Sequence, residues 1–180
     1  MQLLKITARE QIPPEYRDSP IGDLIEYQNL SADFKAYESA QLLVGMCMDN
    51  RKQLRIPENF AYILRTGGAN LRYNEFKVSY AIAIGGVKYI TLIAHNNCGM
   101  VSLVSRREAF IDGLVANAGW ERSRAEEHFM NYAPMFEIDN EVEFVVRESS
   151  RLAEKYPGIT VVPLYYSIDD NLLSIILPEA

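Results

Sequence analysis

Two apolar runs of strand length, each ending in residues that ligate metals, constrain the fold of this chain most strongly. The run 41–47 ends at Cys47, and the run 87–94 leads into His95, with Cys98 three residues further on. These stretches contain both cysteines and one of the two histidines of the chain. Short continuous apolar runs are typical of strands buried in a parallel sheet. We therefore expect two parallel strands that deliver Cys47 and His95 to the same region.

The order of the remaining elements predicts an α/β fold. A strand over 60–65 is followed by a helix over 74–85 and then by the strand 87–94, and such a unit forms a right-handed crossover in a parallel sheet. Periodicity and turn residues predict further elements: helix 21–39, two helices within 101–132 that break near Gly119, helix 137–155, and strands 160–167 and 172–177 joined by Asp169-Asp170-Asn171. The prediction is a mostly parallel central sheet flanked by helices, with an antiparallel C-terminal edge hairpin.

Composition limits the classes of function. With 180 residues and 48% hydrophobic content, we expect a single domain over 1–180. A net charge of −6 gives no basic surface for nucleic acid or an anionic membrane, so neither is an expected partner. The first ten residues lack the apolar core of a signal peptide, and no run approaches the ~18 apolar residues of a membrane span. The expected location is the cytoplasm.

The segment 1–20 contains three prolines, Pro13, Pro14 and Pro20, among charged residues. Proline restricts the backbone and removes a hydrogen-bond donor, which suits an extended segment better than a core element. We expect an extended N-terminal arm that contacts a partner subunit.

Cys47, His95 and Cys98 are a plausible ligand set for one Zn²⁺ per chain, because zinc binds cysteine sulfur and histidine nitrogen tetrahedrally. Three protein ligands leave a fourth position open, which is the pattern of catalytic rather than structural zinc. Ligands of open α/β sheets bind outside the carboxyl ends of the strands, where Cys47 and His95 are expected.

Two other sites have ordinary explanations. Gly67 and Gly68 follow the strand 60–65 and would permit a close backbone approach to a bound substrate, although a plain strand-to-helix turn explains them as well. His128 lies among acidic residues of a predicted helix and is expected to be a solvated side chain.

The segment Cys47-Met48-Asp49-Asn50-Arg51, paired with His95-Asn96-Asn97-Cys98-Gly99, resembles the β-class carbonic anhydrases, whose pattern is Cys-x-Asp-x-Arg followed by His-x-x-Cys-Gly. Arg65-Thr66-Gly67-Gly68-Ala69 is similar to the family's Arg-Asn-Ala-Gly stretch, with Thr66 where asparagine is usual. The segment 165–173 is similar to its closing hairpin. The resemblance spans roughly residues 24 to 178.

The resemblance implies reversible hydration of carbon dioxide to bicarbonate, a carbonate dehydratase (lyase) activity, by at least a homodimer. It implies that Cys47, His95 and Cys98 hold zinc and that Asp49 and Arg51 act as a catalytic dyad. Chemistry supports these roles, because zinc makes hydroxide available at neutral pH and a carboxylate can accept the proton of the reacting water. Arg51 would grip Asp49 on two oxygens and keep it off the open zinc position, which an aspartate occupies in the resting state of some members.

Three alternatives remain open at this point. A carbonyl sulfide or carbon disulfide hydrolase would use the same zinc ligands on the same fold. A non-catalytic zinc-binding protein similar to carbonic anhydrases would need neither Asp49 nor Arg51. A thiol redox pair is the weakest alternative, because the cysteines are not in a Cys-x-x-Cys arrangement.

Overall fold

A computed structural model describes residues 1–178. Its helices and strands, in chain order, are β1 (Gln2–Lys5), α1 (Pro14–Arg17), α2 (Pro20–Asn29), β2 (Leu42–Cys47), β3 (Ala61–Thr66), α3 (Glu75–Ala83), β4 (Tyr89–His95), α4 (Arg107–Ala118), α5 (Arg122–Phe136), α6 (Glu141–Lys155), β5 (Thr160–Tyr166) and β6 (Leu173–Leu177). Short 3₁₀ turns lie before α1, α3 and α4 and after β3.

The strands form one sheet in the order β1-β6-β5-β4-β2-β3. Strands β3, β2, β4 and β5 are mutually parallel, whereas β6 runs antiparallel to β5 and β1 antiparallel to β6. The predicted mostly parallel sheet with an antiparallel C-terminal hairpin is confirmed. Strand β1 extends that hairpin by one strand that the sequence did not predict.

Helices cover both faces of the sheet, which explains the uninterrupted apolar run of β2. One face buries residues of α3 and α6, including Val78 and Leu152, and the other buries Leu24 and Ile25 of α2. All six residues of β2 are buried because β2 has neighbours on both sides and helices on both faces. Strand β3 lies at the sheet edge, and no residue of it is fully buried.

The expectation of an extended N-terminal arm over 1–20 is wrong. Gln2–Lys5 pair with β6, which makes this segment an edge strand. Ile6 and Ile12 are 0% exposed, and helices α1 and α2 begin at Pro14 and Pro20. The prolines stand at first helical positions, where the missing N–H has no intrahelical partner to lose.

The helix predicted over 21–39 ends at Asn29. Ser31 has a φ of 54°, a left-handed conformation that does not continue a helix. The apolar periodicity beyond this point reflects a loop instead, in which the Tyr37 hydroxyl hydrogen-bonds that of Tyr27 at 2.7 Å and the Tyr37 ring packs on Phe60.

The helices after β4 follow the predicted order. Gly119 separates α4 from α5 with a φ of 67°, a left-handed helix end that glycine adopts without a Cβ penalty. The next helix starts at Glu141 rather than near 137, because the Asn140 side chain caps it by accepting from the N–H groups of Val142 and Glu143. Within residues 1–178, no helix combines the length and apolar character needed to cross a membrane.

Candidate metal centre

Cys47 and His95 are brought together by the sheet itself. Strands β2 and β4 are parallel neighbours with Met46 opposite Ile93, so their carboxyl ends lie side by side. A turn follows β4 in which Asn97 has a φ of 56°, and it places Cys98 beside Cys47 with the two sulfurs 4.0 Å apart.

The three side chains form a compact, buried ligand set. Their ligand atoms all lie within 4.8 Å of one another, so the group could hold a metal ion. Cys47, His95 and Cys98 are 3%, 1% and 3% exposed. The cysteines are free thiols, and their separation is about twice a disulfide bond length of ~2.05 Å. The structure therefore brings together all three residues that the sequence predicted as zinc ligands.

The imidazole of His95 is oriented for coordination. Its Nδ1 lies 2.9 Å from the carbonyl oxygen of Asn96, an arrangement that fixes the proton on Nδ1 and leaves a lone pair on Nε2. Nε2 is buried and has no hydrogen-bond partner among residues 1–178. A buried polar atom without a partner is costly, and coordination of a metal would satisfy it. The donor set fits zinc.

The two sulfurs differ in acidity because they hydrogen-bond each other. The hydrogen bond from Cys98 lowers the pKa of Cys47. Hydrogen bonds from the backbone N–H groups of Asp49 and Gly68 lower it as well. The same hydrogen bond raises the pKa of Cys98, and burial raises it further. Both sulfurs must be deprotonated to coordinate a metal, so metal binding would release any proton that the pair holds.

Asp49 and Arg51 form a bidentate ion pair in the loop after β2. Arg51 Nη2 lies 2.6 Å from Oδ2 of Asp49, its Nε lies 2.9 Å from Oδ1, and its backbone N–H donates to Oδ1 at 2.9 Å. Hydrogen bonding by Arg51 lowers the pKa of Asp49, which is a carboxylate at neutral pH. Arg51 also donates to the carbonyl of Asn97 at 3.0 Å, which ties the dyad to the loop that carries Cys98.

Arg65 of β3 shapes the loop from the opposite side. Its guanidinium donates to the carbonyl oxygens of Cys47, Asp49 and Lys52 at 3.3, 3.2 and 2.9 Å. The Arg65 guanidinium thus holds the backbone of residues 47–52 in a curved conformation around it. No local sequence pattern predicts this role for Arg65, apart from its place in the stretch 65–69 that resembles the family.

Lys52 is the site residue that the sequence analysis missed. Its side chain is 0% exposed, and its ammonium has no hydrogen-bond partner in the described part of the chain. Burial lowers the pKa of Lys52 to about 8. Nothing in the sequence signals this, because a lysine next to Arg51 in a polar stretch is normally solvated.

Gly67 and Gly68 form a tightly packed turn at the end of β3. Gly68 has a φ of 60°, and a Cβ on Gly67 would lie 2.9 Å from the sulfur of Met100. The Thr66 hydroxyl, at the position where the family usually has asparagine, donates to the carbonyl of Asn70 at 3.1 Å and closes the turn. This geometry accounts for both glycines by local packing; a role toward substrate stays a prediction.

A cavity of about 430 Å³ opens beside this turn. Its wall is mostly apolar and aromatic and consists of Met48, Arg65, Thr66, Gly67, Tyr73, Asn74, Met100, Leu103, Phe110, His128, Phe129, Tyr132, Ala133 and Phe136.

His128 is not the solvated side chain that was expected. It is half-buried, with ring centroids of Tyr132 and Trp120 at 4.7 and 5.2 Å.

Solved structures with the same fold include carbonic anhydrases and a carbon disulfide hydrolase. A carbonic anhydrase from Glaciozyma antarctica aligns with a TM-score of 0.60 and 16% identity, over 92% of this chain and 100% of that one. A β-carbonic anhydrase from Trichomonas vaginalis aligns with a TM-score of 0.54 and 18% identity, over 84% and 91%. A carbon disulfide hydrolase in its apo form aligns with a TM-score of 0.52 and 19% identity, over 89% and 90%.

No protein-family model matches the sequence, and no curated protein does either. At identities of 16–19% the structural likeness establishes the fold. The chain has the fold of the β-class carbonic anhydrases, and the fold that the two motifs predicted is confirmed.

Proposed function

We propose that this protein catalyses the reversible hydration of carbon dioxide to bicarbonate and a proton. One zinc ion per chain is held by Cys47, His95 and Cys98. The observation that carries the proposal is the buried Cys-His-Cys group, with all ligand atoms within 4.8 Å, next to a carboxylate that Arg51 holds by two oxygens. A site that only binds metal has no need of that second pair.

Zinc bound there would supply hydroxide at neutral pH, because zinc lowers the pKa of water from ~15.7 to about 7. The remaining chemistry belongs to the chain. Asp49 is ionised, so it accepts a hydrogen bond from the reacting water and orients it. Arg51 binds both oxygens of Asp49 from one side, which prevents the carboxylate from rotating toward the metal ligands.

A stopped-flow assay of carbon dioxide hydration on the zinc-loaded protein tests the proposal. Asp49→Asn should lower kcat/KM by about 10²- to 10⁴-fold, the usual contribution of a positioned acid or base, and should retain its zinc. Asp33→Asn is the matched control, because Asp33 is an exposed carboxylate on the loop after α2. A zinc-loaded protein without hydration activity above buffer would contradict the proposal and leave a metal-binding protein.

The cavity supports a second candidate, hydrolysis of carbonyl sulfide or carbon disulfide. These linear electrophiles are attacked at the same carbon, and an apolar cavity beside Met48 and Gly67 suits the larger and more hydrophobic sulfur-containing molecules. Both should be assayed in parallel with carbon dioxide. A kcat/KM for carbon disulfide above that for carbon dioxide would assign the hydrolase activity instead.

The setting we propose is a cytoplasmic homo-oligomer. A reducing compartment keeps Cys47 and Cys98 out of a disulfide, so that both can bind zinc as thiolates. The expected small-molecule partners are carbon dioxide and bicarbonate.

A further inference from the structure

The turn after β4 contains a residue whose side chain the metal centre does not use. Asn96 lies between the ligands His95 and Cys98, and its backbone carbonyl faces Nδ1 of His95 at 2.9 Å. Its side chain binds the turn between β5 and β6 instead. Oδ1 accepts from the backbone N–H of Ile168 at 2.8 Å, and Nδ2 donates to Oδ2 of Asp169 at 3.0 Å. The carboxamide of Asn96 thus joins the metal-binding turn to the C-terminal hairpin.

These two partners fix the Asn96 carboxamide in one orientation. A backbone N–H only donates and a carboxylate only accepts, so an exchange of Oδ1 and Nδ2 would break both hydrogen bonds. Both partners belong to the β5–β6 turn, 72 and 73 residues further along the chain. That turn is closed by hydrogen bonds from the N–H of Ser167 to the carbonyl of Leu172, at 3.0 Å, and from the N–H of Asn171 to the carbonyl of Ser167, at 2.8 Å. Asn96 is therefore attached to a hydrogen-bonded support rather than to a free loop.

The carbonyl that faces His95 is held in a conformation that needs support. It belongs to the peptide between Asn96 and Asn97, and the left-handed φ of 56° at Asn97 sets the orientation of that peptide. This region is unfavourable for residues with a Cβ, although asparagine tolerates it better than most. Rotation of Asn97 into the right-handed region would turn the carbonyl of Asn96 away from the imidazole. The Asn96 side chain resists that rotation on one side of the peptide, and Arg51 resists it on the other by donating to the carbonyl of Asn97 at 3.0 Å.

We infer that Asn96 is a positioning residue for His95. Held by the β5–β6 turn, it presents the carbonyl that keeps the imidazole proton on Nδ1 and leaves the lone pair of Nε2 to a metal. An imidazole without this partner can carry its proton on Nε2, and in that tautomer Nε2 cannot coordinate. The consequence for metal binding rests on the zinc site of the proposed function, whereas the tautomer is a property of the metal-free chain.

The contribution of these hydrogen bonds to overall stability should be small. Asp169 is exposed and Asn96 is half-buried. Hydrogen bonds of such groups contribute little net free energy, because water replaces them when they are lost. A variant that lacks the Asn96 carboxamide should therefore still fold, and its defect should appear at His95.

Nitrogen-15 NMR of the metal-free protein tests the inference. The chain has two histidines, so labelling histidine alone gives the signals of two imidazoles, and His128→Gln assigns them. At alkaline pH, where imidazole is neutral, His95 of the wild type should carry its proton on Nδ1. In Asn96→Ala the share of the Nε2–H tautomer should rise about 2- to 10-fold, the effect of weakening one hydrogen bond. Asp170→Ala is the matched control, because that carboxylate belongs to the same turn but binds Lys5.

Chelator competition measures the consequence for the metal. Zinc affinity should fall about 10-fold in Asn96→Ala, the lower end of the range for groups that orient a ligand, because the backbone carbonyl itself remains. It should be unchanged in Asp170→Ala. A wild type with the Nδ1–H tautomer but without zinc binding would contradict the proposed function and still support the role of Asn96 toward His95.

An exchange of the two paired side chains makes the test specific. Asn96→Asp alone sets two carboxylates against each other and should raise the share of the Nε2–H tautomer as Asn96→Ala does. Asn96→Asp/Asp169→Asn restores the hydrogen bond with donor and acceptor reversed, while position 96 still accepts from Ile168, so the wild-type tautomer should return. The inference would be overturned by a wild type with its proton on Nε2, by an unchanged tautomer or zinc affinity in Asn96→Ala, or by an exchange variant that resembles Asn96→Asp. A shift of equal size in Asp170→Ala would overturn it as well.

Discussion

The loop after β2 and the outer surface of β3 and α3 depart in opposite ways from the usual distribution of polar and apolar side chains. At the metal centre, polar and titratable groups are buried, and Arg51 and Arg65 bind the surrounding backbone and carboxylate oxygens. At the β3–α3 surface, large apolar side chains are exposed and, within residues 1–178, nothing covers them. Buried polar side chains and exposed apolar side chains are informative about function. Exposed polar residues and buried apolar residues, in contrast, are what any folded chain shows. Here the buried polar groups form a set that could hold a metal ion, whereas the exposed apolar side chains form a surface that the described residues leave uncovered.

The largest expected effect is loss of a metal ligand. Cys98→Ser should weaken zinc binding by well over 100-fold, since loss of a mere hydrogen-bond partner of a ligand typically costs 10- to 100-fold. Chelator competition combined with elemental analysis measures this. His128→Ala should keep one zinc per chain, because His128 lies in the aromatic cluster and not in the ligand group. Full zinc occupancy in Cys98→Ser would disprove the ligand assignment.

The next largest effect is expected from Arg51. Arg51→Ala frees both oxygens of Asp49 to reach the metal in place of water, so hydration activity should fall by about 10²- to 10⁴-fold. The residual activity should rise with pH, because hydroxide competes better with the freed carboxylate. The double variant Arg51→Ala/Asp49→Asn should lack that rise, and a rise of equal size in both proteins would show that Asp49 is not the competitor.

The sequence was sufficient to predict the parts of the site that depend on strand order. Cys47 and His95 each end an apolar run, and a parallel sheet necessarily brings the carboxyl ends of neighbouring strands together. Cys98 follows within one turn. The apolar runs and the strand order together predict the position of these three residues, so the prediction required no knowledge of contacts between distant parts of the chain.

The parts that the sequence did not predict depend on distant contacts. Strand β1 has four residues, too few for a periodic pattern, and it exists because it pairs with β6 at the other end of the chain. His128 is half-buried because α4 and α5 fold against each other. Lys52 is buried in a loop whose backbone carbonyl oxygens Arg65 of β3 binds, a contact between residues distant in sequence. Amino-acid type alone predicted exposure for both residues.

A smaller effect, on the free energy of unfolding, is expected from Lys52 in the loop after β2. A buried ammonium whose pKa is lowered to about 8 destabilises the fold while it is charged. The unfolded chain keeps the ordinary pKa near 10.4, so the cost is complete below pH 8 and is relieved as pH rises from about 8 to 10.4. Lys52→Met should therefore raise the free energy of unfolding by up to about 3 kcal/mol at pH 7 and by little at pH 10.

Urea unfolding of both proteins at pH 7 and pH 10 measures this difference. Lys88→Met is the control, because Lys88 is exposed and its removal should change stability by less than about 0.5 kcal/mol at either pH. Lower stability of Lys52→Met at pH 7 would mean that a buried anion compensates the ammonium.

The smallest effect is expected at the β3–α3 surface and tests whether it is independent of the metal centre. A Cβ on Gly85 would lie 2.5 Å from Cε2 of Tyr62 and 2.6 Å from the carbonyl oxygen of Ala81, and a backbone oxygen cannot move aside cheaply. Gly85→Ala should therefore lower the free energy of unfolding by about 1–2 kcal/mol and displace Tyr62. In Gly158→Ala the new Cβ meets nothing within 4 Å, so this control should keep wild-type stability.

Gly85 precedes the amino end of β4, whereas the metal ligands lie at the carboxyl ends of β2 and β4. Zinc occupancy should consequently be unchanged in Gly85→Ala, and a loss of zinc alongside the loss of stability would show that the two regions are coupled through the sheet.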